Sequence, residues 1–329
     1  MGLLAGWLYY APITVGNGSV DYPTKITVYY GSGTNGLNVV YCNSLCQPDF
    51  DDLRFTKADG ETLMPYWIES YVDSTSAVVW VKHTEASPTA ARMYYGKADA
   101  TAVSSGADTF LKFDDFNDNS FDTAKWGRTN SADILEQNAR IEASDAAGAY
   151  KNVVSLDTFA NQFELRALIQ KVTATTSGYA YVNMGDVNTN HDACSNGAAF
   201  FFDPDSAKII CVTKKAGVTT TVWFTAVHAA GTYYWLILQR LSTGKVKYII
   251  ESATHTAIEN QTPNSTPTLS TAWYVFPIQA AKSAATTQAY CDVTFIKKFA
   301  DTEPTFTFGS QQTGGRRYGY IMFQDPAIL

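Results

Sequence analysis

Residues 163–170 read Phe163-Glu164-Leu165-Arg166-Ala167-Leu168-Ile169-Gln170. Apolar and polar side chains alternate along this stretch, so every second residue is apolar. Side chains of a β-strand point to opposite faces in turn, and an alternation of period two therefore gathers the apolar ones on one face. The stretch predicts a strand that packs one face against a core and turns the other outward.

The same signal recurs on both sides of that strand, between residues 111 and 300. Further strands are predicted at 178–184, 198–202, 208–213, 219–224, 233–241, 245–251, 273–278 and 290–299, with a hairpin turn at Pro204-Asp205. Short strands at this spacing are typical of an all-β sandwich or barrel. Nothing in the chain has the period of a long amphipathic helix.

The first hundred residues also consist of short apolar runs separated by turn signals. Residues 24–30 alternate, with Ile26, Val28 and Tyr30 on one face, and Asp59-Gly60 marks a tight turn. Small and polar residues at 97–108 indicate a connection between modules. We therefore expect a β-sandwich module at 1–105, a second module at 106–300 and a C-terminal tail at 301–329. The tail contains a candidate strand at Thr305–Phe308 and an aromatic run at Tyr318–Phe323, which docks either on its own domain or on a neighbouring subunit.

Charge and hydropathy exclude two classes of partner. The net charge is −7, whereas a nucleic-acid binder needs a basic face to neutralise phosphates. No apolar stretch reaches the ~18 residues that a membrane helix needs. The N-terminus lacks the basic and apolar segments of a secretory signal. We therefore expect no nucleic acid, no membrane insertion and no signal peptide in the given chain.

The cysteines are few, and their number is odd. An odd set in a chain of 329 residues argues against a disulfide framework, and no second Cys or His pair stands at zinc spacing. We expect thiols, while a pairing of Cys42 with Cys46 across a loop stays open. The chain has five cysteines: Cys42, Cys46, Cys194, Cys211 and Cys291.

Residues 7–96 resemble a known family. In order, the chain carries Trp7, Pro12-Ile13-Thr14-Val15, Asp51-Asp52-Leu53-Arg54-Phe55, Asp59-Gly60, Pro65-Tyr66-Trp67-Ile68-Glu69, Val79-Trp80-Val81-Lys82 and Tyr94-Tyr95-Gly96. This order is similar to that of a domain-of-unknown-function family found in bacterial, archaeal and viral surface proteins. The resemblance implies a display context and, since the family has no established activity, no mechanism.

Residues 111–300 resemble a concanavalin-like or laminin-G-like jelly roll. The segment from Phe113 to Trp126 is similar to the opening strand of such modules, 234–248 to their back-sheet hairpin, and 290–295 to their closing strand. The resemblance implies an all-β protein of two sandwich modules, the second a jelly roll, followed by the tail. Such sandwiches include both lectins and glycoside hydrolases, so the fold alone does not decide between them.

A catalytic pair of carboxylates is not evident. Retaining glycosidases need two carboxylates about 5 Å apart, which on this fold stand at alternate positions of one strand. The strand at 163–170 offers Glu164 beside Arg166, a pattern that indicates an ion pair. We therefore predict a protein that is not an enzyme, with no catalytic residues.

Two kinds of binding site are candidates. A structural calcium ion would take oxygen ligands from an acidic turn and the closing strand, and no other cofactor is required. The candidate calcium ligands are Asp114, Asp115, Asn117, Asp118 and Asp292. A carbohydrate site would use aromatic faces and amides. The candidate sugar-binding residues are Tyr179, Tyr181, Asn183, Asn188, Asn190, Trp223 and Trp273.

These observations favour a non-catalytic structural or host-recognition component of a virus particle, such as a tail, fibre or capsid appendage, with cell-surface glycans as candidate ligands. Display modules of this kind are expected to assemble as symmetric homo-oligomers, on a virion or an extracellular surface. A cell-surface adhesin or surface-layer carbohydrate-binding protein is the alternative, and a glycoside hydrolase is the third candidate.

Overall fold

The computed structural model describes residues 3–85, 88–129, 132–145, 150–160, 162–172, 178–203, 208–267, 272–282 and 287–314. The chain divides into two compact units, one formed by Met1–Thr109 with Pro304–Leu329 and the other by Phe110–Glu303. Within the described ranges, no helix is long and apolar enough to cross a membrane.

The N-terminal part of the first unit contains eight strands and one short helix. They are β1 (Tyr9–Gly16), β2 (Tyr22–Tyr29), β3 (Val39–Tyr41), β4 (Arg54–Lys57), β5 (Leu63–Met64), β6 (Tyr66–Val72), β7 (Ser76–His83), β8 (Ala90–Tyr95) and α1 (Gly106–Thr109). One sheet has the order β3-β2-β7-β6, in which β2 and β3 run parallel. The predicted alternation of residues 24–30 is present, because Ile26 and Val28 are buried in the core of this unit.

The second unit contains the strands β9 (Lys112–Asp114), β10 (Trp126–Arg128), β11 (Ile134–Gln137), β12 (Arg140–Asp145), β13 (Lys151–Ser155), β14 (Phe163–Lys171), β15 (Gly178–Gly185), β16 (Gly197–Phe202), β17 (Lys208–Lys215), β18 (Val218–Val227), β19 (Tyr233–Arg240), β20 (Val246–Ser252), β21 (Ala257–Gln261), β22 (Tyr274–Lys282) and β23 (Thr287–Lys298). They form a seven-stranded sheet, β10-β13-β22-β15-β16-β17-β18, and an eight-stranded sheet, β11-β12-β23-β14-β19-β20-β21 with β9 beside β23. Every pairing in them is antiparallel.

The apolar core of the second unit lies between these two sheets. Phe163, Leu165, Ala167 and Ile169 of β14 all belong to it, as the alternation of 163–170 predicts. Sheets that face each other across such a core form a sandwich. The predicted all-β class is confirmed, and the second unit is an antiparallel β-sandwich of two sheets.

Part of the predicted C-terminal tail belongs to the first unit, and the candidate strand at Thr305–Phe308 is present. The strands β24 (Thr305–Phe308) and β25 (Gln312–Thr313) both pair with β1, which completes the second sheet of the first unit, β24-β1-β8-β4-β5. The physical reason is the burial of Phe306 and Phe308 in the core of that unit. Two predicted features, the turn at 204–205 and the aromatic run at 318–323, lie outside the described residues.

Candidate functional site

A single row of side chains crosses the seven-stranded sheet of the second unit. Its members stand directly opposite one another on six neighbouring strands, β13, β22, β15, β16, β17 and β18. Because neighbouring strands are about 4.8 Å apart, the row is roughly 24 Å long. We call it the outward row, and its members are Asn152, Gln279, Tyr181, Phe201, Ile210 and Trp223.

The outward row lies on the face of the sheet that is turned away from the core. On β15, Val182 and Met184 belong to the core between the sheets, so Tyr181 and Asn183 point the other way. Tyr181 forms a separate small cluster with Ala199, Tyr150 and Phe201. The sheet therefore presents amides at one end of this face and aromatic rings at the other.

The amide end of the row has hydrogen-bonding atoms without partners. The Nδ2 of Asn183 donates to Oε1 of Gln279 over 3.3 Å. Among the described residues, no partner reaches Oδ1 of Asn152, Oδ1 of Asn183 or Nε2 of Gln279, although all three side chains are fully buried. A buried polar atom without a hydrogen-bond partner typically costs about 1–3 kcal/mol of folding free energy. The three atoms together therefore lower the stability of the fold at this end of the row.

A loop, which we call the covering segment (residues 186–196), lies over the amide end. The Asp186 carboxylate holds the base of this segment by accepting the backbone N–H groups of Ser195 and Asn196, each over 2.9 Å. Two side chains of the outward face reach into it. Asn152 donates to the carbonyl of Thr189, and Lys214 donates to the carbonyl of Asp192 over 2.8 Å.

His191 of the covering segment is also buried. Within the described part of the chain, neither of its ring nitrogens has a hydrogen-bond partner. Burial, with a smaller contribution from the Lys214 ammonium, lowers the pKa of His191 to about 3. The ring is therefore neutral near pH 7 and adds two more unfilled polar atoms to this end of the face.

At the aromatic end of the row, Trp223 is open to solvent and Phe201 is partly exposed, whereas Tyr181 and Ile210 are buried. The Tyr181 and Phe201 rings meet edge to face, with centroids 4.6 Å apart. Trp223 on the edge strand β18 is 50% exposed, and Thr219 and Thr221 on the same face of that strand are exposed as well. An exposed indole beside hydroxyl groups offers a flat apolar surface with polar groups next to it.

Several predicted sugar-binding residues come together on this face. Tyr181, Asn183 and Trp223 all lie on it, and Tyr179 lies in the same strand β15. Asn188 is exposed in the covering segment, whereas Asn190 caps the short 3-10 turn at His191–Ala193 by accepting the N–H of Ala193.

Trp273 differs from the prediction. It is fully buried in the core, where the Arg240 guanidinium lies 4.1 Å from the centre of its ring. Sequence reasoning instead missed Asn152, Gln279 and His191. A signal for Gln279 was present, since it is a lone polar residue between the core residues Ile278 and Ala280.

The predicted calcium ligands are engaged with protein donors. Asp114 accepts the Trp126 indole N–H over 2.8 Å and the Phe116 backbone N–H over 3.1 Å, and its carboxylate lies 3.8 Å from the Lys125 ammonium. Burial raises the pKa of Asp114 despite these donors.

The rest of the acidic turn is also paired within itself. Asn117 donates to Asp115 over 2.9 Å, and Asp118 shares the backbone N–H of Ser120 with Glu136. Burial and the neighbouring Asp118 raise the pKa of Glu136 to about 7.

Asp292, the remaining predicted ligand, lies on the closing strand β23 and is half-buried. Burial raises the pKa of its carboxyl. Within the described ranges, no group of three or more His, Cys, Asp or Glu side chains is placed to hold a metal ion. Calcium binding stays a prediction.

The carboxylate of strand β14 is part of a buried ion network. Arg166 donates to Glu164 over 2.5 Å, and Gln239 donates to the other carboxylate oxygen over 2.5 Å. The Lys297 ammonium lies 3.9 Å away. Burial alone would raise the pKa of Glu164, but Arg166 and Lys297 together lower it to about 2. A carboxylate held ionised in this way joins strands and has no spare proton to donate.

Part of the chain matches a known protein family. Residues 49–130 match the profile of a family described as a domain of unknown function (DUF2341). This match supports the family resemblance expected for the N-terminal module. No curated protein matches the chain.

Solved structures show similarity of fold. An endo-acting O-glycanase from the human gut microbiota has a TM-score of 0.47 at 9% identity, over 58% of this chain and 99% of that chain. A legume lectin-like domain from Entamoeba histolytica has a TM-score of 0.42 at 11% identity, over 54% and 91%. A β-glucanase from Bacillus licheniformis has a TM-score of 0.42 at 11% identity, over 57% and 98%. At such identities and scores, the similarity says nothing about activity.

Proposed function

We propose that the second unit binds a glycan, without catalysis, on the outward face of its seven-stranded sheet. The observation that supports this most strongly is the outward row itself. It joins amides with unfilled hydrogen-bonding atoms, at Asn152 and Gln279, to aromatic side chains that end in the exposed Trp223.

The chemistry of a sugar suits this arrangement. A pyranose ring has apolar C–H faces that pack on aromatic rings and an equatorial rim of hydroxyl groups that both donate and accept hydrogen bonds. An amide side chain also does both, so Asn152, Asn183 and Gln279 supply matching groups. A face about 24 Å long accommodates an oligosaccharide rather than a single sugar.

Access differs between the two ends of the row. Trp223 and Phe201 are reachable without any rearrangement, whereas Asn183 and Gln279 are fully buried. Contact with the amides requires the covering segment to move away from them. That movement breaks the hydrogen bonds from Lys214 to the backbone of this segment. The hydroxyl groups of the sugar then become partners of the unpartnered amide atoms.

The composition of the outward row supports binding without hydrolysis. A glycosidase needs two carboxylates on either side of the scissile bond. All six members of the outward row are neutral, and Glu164 is committed to Arg166 in the other sheet.

The test is binding of the full chain to immobilised neutral and acidic oligosaccharides. We expect a subset of them to retain the protein, and we expect Trp223→Ala to abolish retention. Tyr71→Ala is the matched control, because Tyr71 is also an exposed strand aromatic, 53% accessible, but lies in the first unit. Retention that is equal in both variants, or absent in the wild type, would contradict the proposal.

We also propose that this site serves host recognition in an assembled virus-particle component, with a cell-surface adhesin as the alternative. The presence of two sandwich modules in one chain supports a display role. Light scattering of the chain with and without residues 315–329, which begin beyond strand β25, tests assembly. A defined oligomer that the truncation dissolves is expected, and a monomer in both cases would contradict it.

A further inference from the structure

Two of the cysteines in the first unit are brought together by a tight turn. Cys42 follows strand β3, and its carbonyl accepts the N–H of Leu45 over 3.0 Å. The two central residues, Asn43 and Ser44, have φ values of 54° and 59°. Positive φ at both positions is the signature of a type I′ turn, which reverses the chain within four residues. The turn therefore brings Cys46 back towards Cys42.

Cys42 and Cys46 lie in the same part of the core. Both belong to one cluster of buried residues of the first unit, and they stand four positions apart across the turn. Both are free thiols in this structure. Two thiols on either side of a tight turn, inside one buried cluster, are placed as a candidate disulfide pair.

A pocket opens next to one of the two thiols. It has a volume of about 480 Å³, within the range of small-molecule sites, and all of its lining lies in the first unit. Cys46 lines this pocket, whereas Cys42 is fully buried behind it. The other lining residues include Tyr9, Gln47, Asp52, Gly96 and Lys97.

We propose that Cys42 and Cys46 are a redox pair, in which Cys46 attacks a small disulfide that enters the pocket and Cys42 completes an internal disulfide. With oxidised glutathione as oxidant, the Cys46 thiolate forms a mixed disulfide and releases one glutathione thiolate. The Cys42 thiolate then attacks the Cys46 sulfur and releases the second glutathione. The two protons of the cysteines end on the two released thiols, and the glutathione disulfide is reduced as the pair is oxidised.

The order of the two steps follows from burial. Burial raises the pKa of Cys42 well above its ordinary value, and the neighbouring Cys46 raises it further. Only the thiolate is a nucleophile, so Cys42 is a poor first attacker. It becomes effective when Cys46 is already in a mixed disulfide and the attack is intramolecular.

Peptide mapping tests the pair directly. Trypsin releases residues 26–54 as one peptide that contains Cys42 and Cys46 and no other cysteine. After incubation with oxidised glutathione and alkylation under denaturing conditions, we expect this peptide to lack two hydrogens and to carry no alkyl group. Cys194, Cys211 and Cys291 are the internal controls and should be alkylated. Recovery of the peptide with both thiols alkylated would overturn the proposal.

Two single variants test the order of attack and keep the proposal falsifiable if one of them folds poorly. Cys42→Ser should accumulate a stable glutathione adduct on Cys46, because no second thiol remains to resolve it. Cys46→Ser should remain unmodified under the same native conditions, since Cys42 does not reach the pocket. An adduct on Cys42 in the second variant, or none on Cys46 in the first, would overturn the assignment.

Discussion

Replacement of Glu164 by Gln tests the buried ion network of the second unit. The change removes the negative charge that lies 2.5 Å from Arg166 and 3.9 Å from Lys297. Loss of one partner from a buried ion pair usually costs about 3–5 kcal/mol. Arg166 and Lys297 keep contacts with Glu251 and Glu303, so we expect a value near the lower end, about 3 kcal/mol. For a unit of this size, that lowers Tm by roughly 6–12 °C.

Scanning calorimetry of the full chain is the assay, and Glu303→Gln is the matched control. Glu303 contacts the same Lys297 over 3.4 Å, but its side chain is 47% exposed. A surface pair of this kind is worth about 0–1 kcal/mol, so the control should shift Tm by a few degrees at most. If Glu164→Gln destabilises the protein no more than Glu303→Gln, the network does not hold these strands together.

The pH dependence of the same variant gives an independent reading. The pKa of Glu164 is lowered in the folded protein to about 2, from an ordinary 4.5. A carboxyl with a lowered pKa contributes stability above its unfolded pKa, and this contribution is lost as the pH falls through the folded value. The difference in Tm between wild type and Glu164→Gln should therefore be full at pH 6 and shrink between pH 4.5 and 2. A difference that is constant over this range would refute the assignment.

Three further predictions concern other parts of the chain. His191→Phe should reduce the loss of folding stability that the wild type shows as the pH falls from 6.5 to 4. In the wild type, the unfolded state binds a proton on His191 over this range, whereas the buried ring of the folded state, with its pKa of about 3, does not. Chemical denaturation at each pH measures this difference in stability. Asp52→Ala should destabilise the first unit by about 1–3 kcal/mol in urea unfolding, since the backbone N–H groups of Gln47, Gly96 and Lys97 lose their acceptor. Trp223→Ala should change the free energy of unfolding by less than about 0.5 kcal/mol, as expected for an exposed position, while glycan affinity falls at least tenfold.

The fold was predictable from the sequence because alternation reports burial directly. Phe163, Leu165, Ala167 and Ile169 are core residues, as their spacing requires. Alternation does not tell which strands become neighbours. The strand at Thr305–Phe308 was therefore recognised, but its pairing with β1, more than half the chain away in sequence, was not.

The candidate site was predictable only in part, for the same reason. Tyr181 and Asn183 were selected as aromatic and amide residues on one strand, and they do share a face. Asn152 and Gln279 come from strands far away in sequence, and only the register of the sheet places them beside Tyr181. Trp273 has a side chain suited to stacking on a sugar, but it faces the core. The residue type alone does not reveal to which face of the sheet a side chain points.

The most direct test of glycan binding is saturation-transfer NMR with the oligosaccharide that binds best in the immobilised panel. Irradiation of the protein's aromatic protons should transfer saturation to the C–H protons of one sugar face, because the exposed Trp223, with Phe201 two strands away on the same face, supplies the stacking surface. We expect strong transfer in the wild type and in Tyr71→Ala, and a large loss in Trp223→Ala. Undiminished transfer in Trp223→Ala would show that the sugar lies elsewhere and would contradict the assignment of this face.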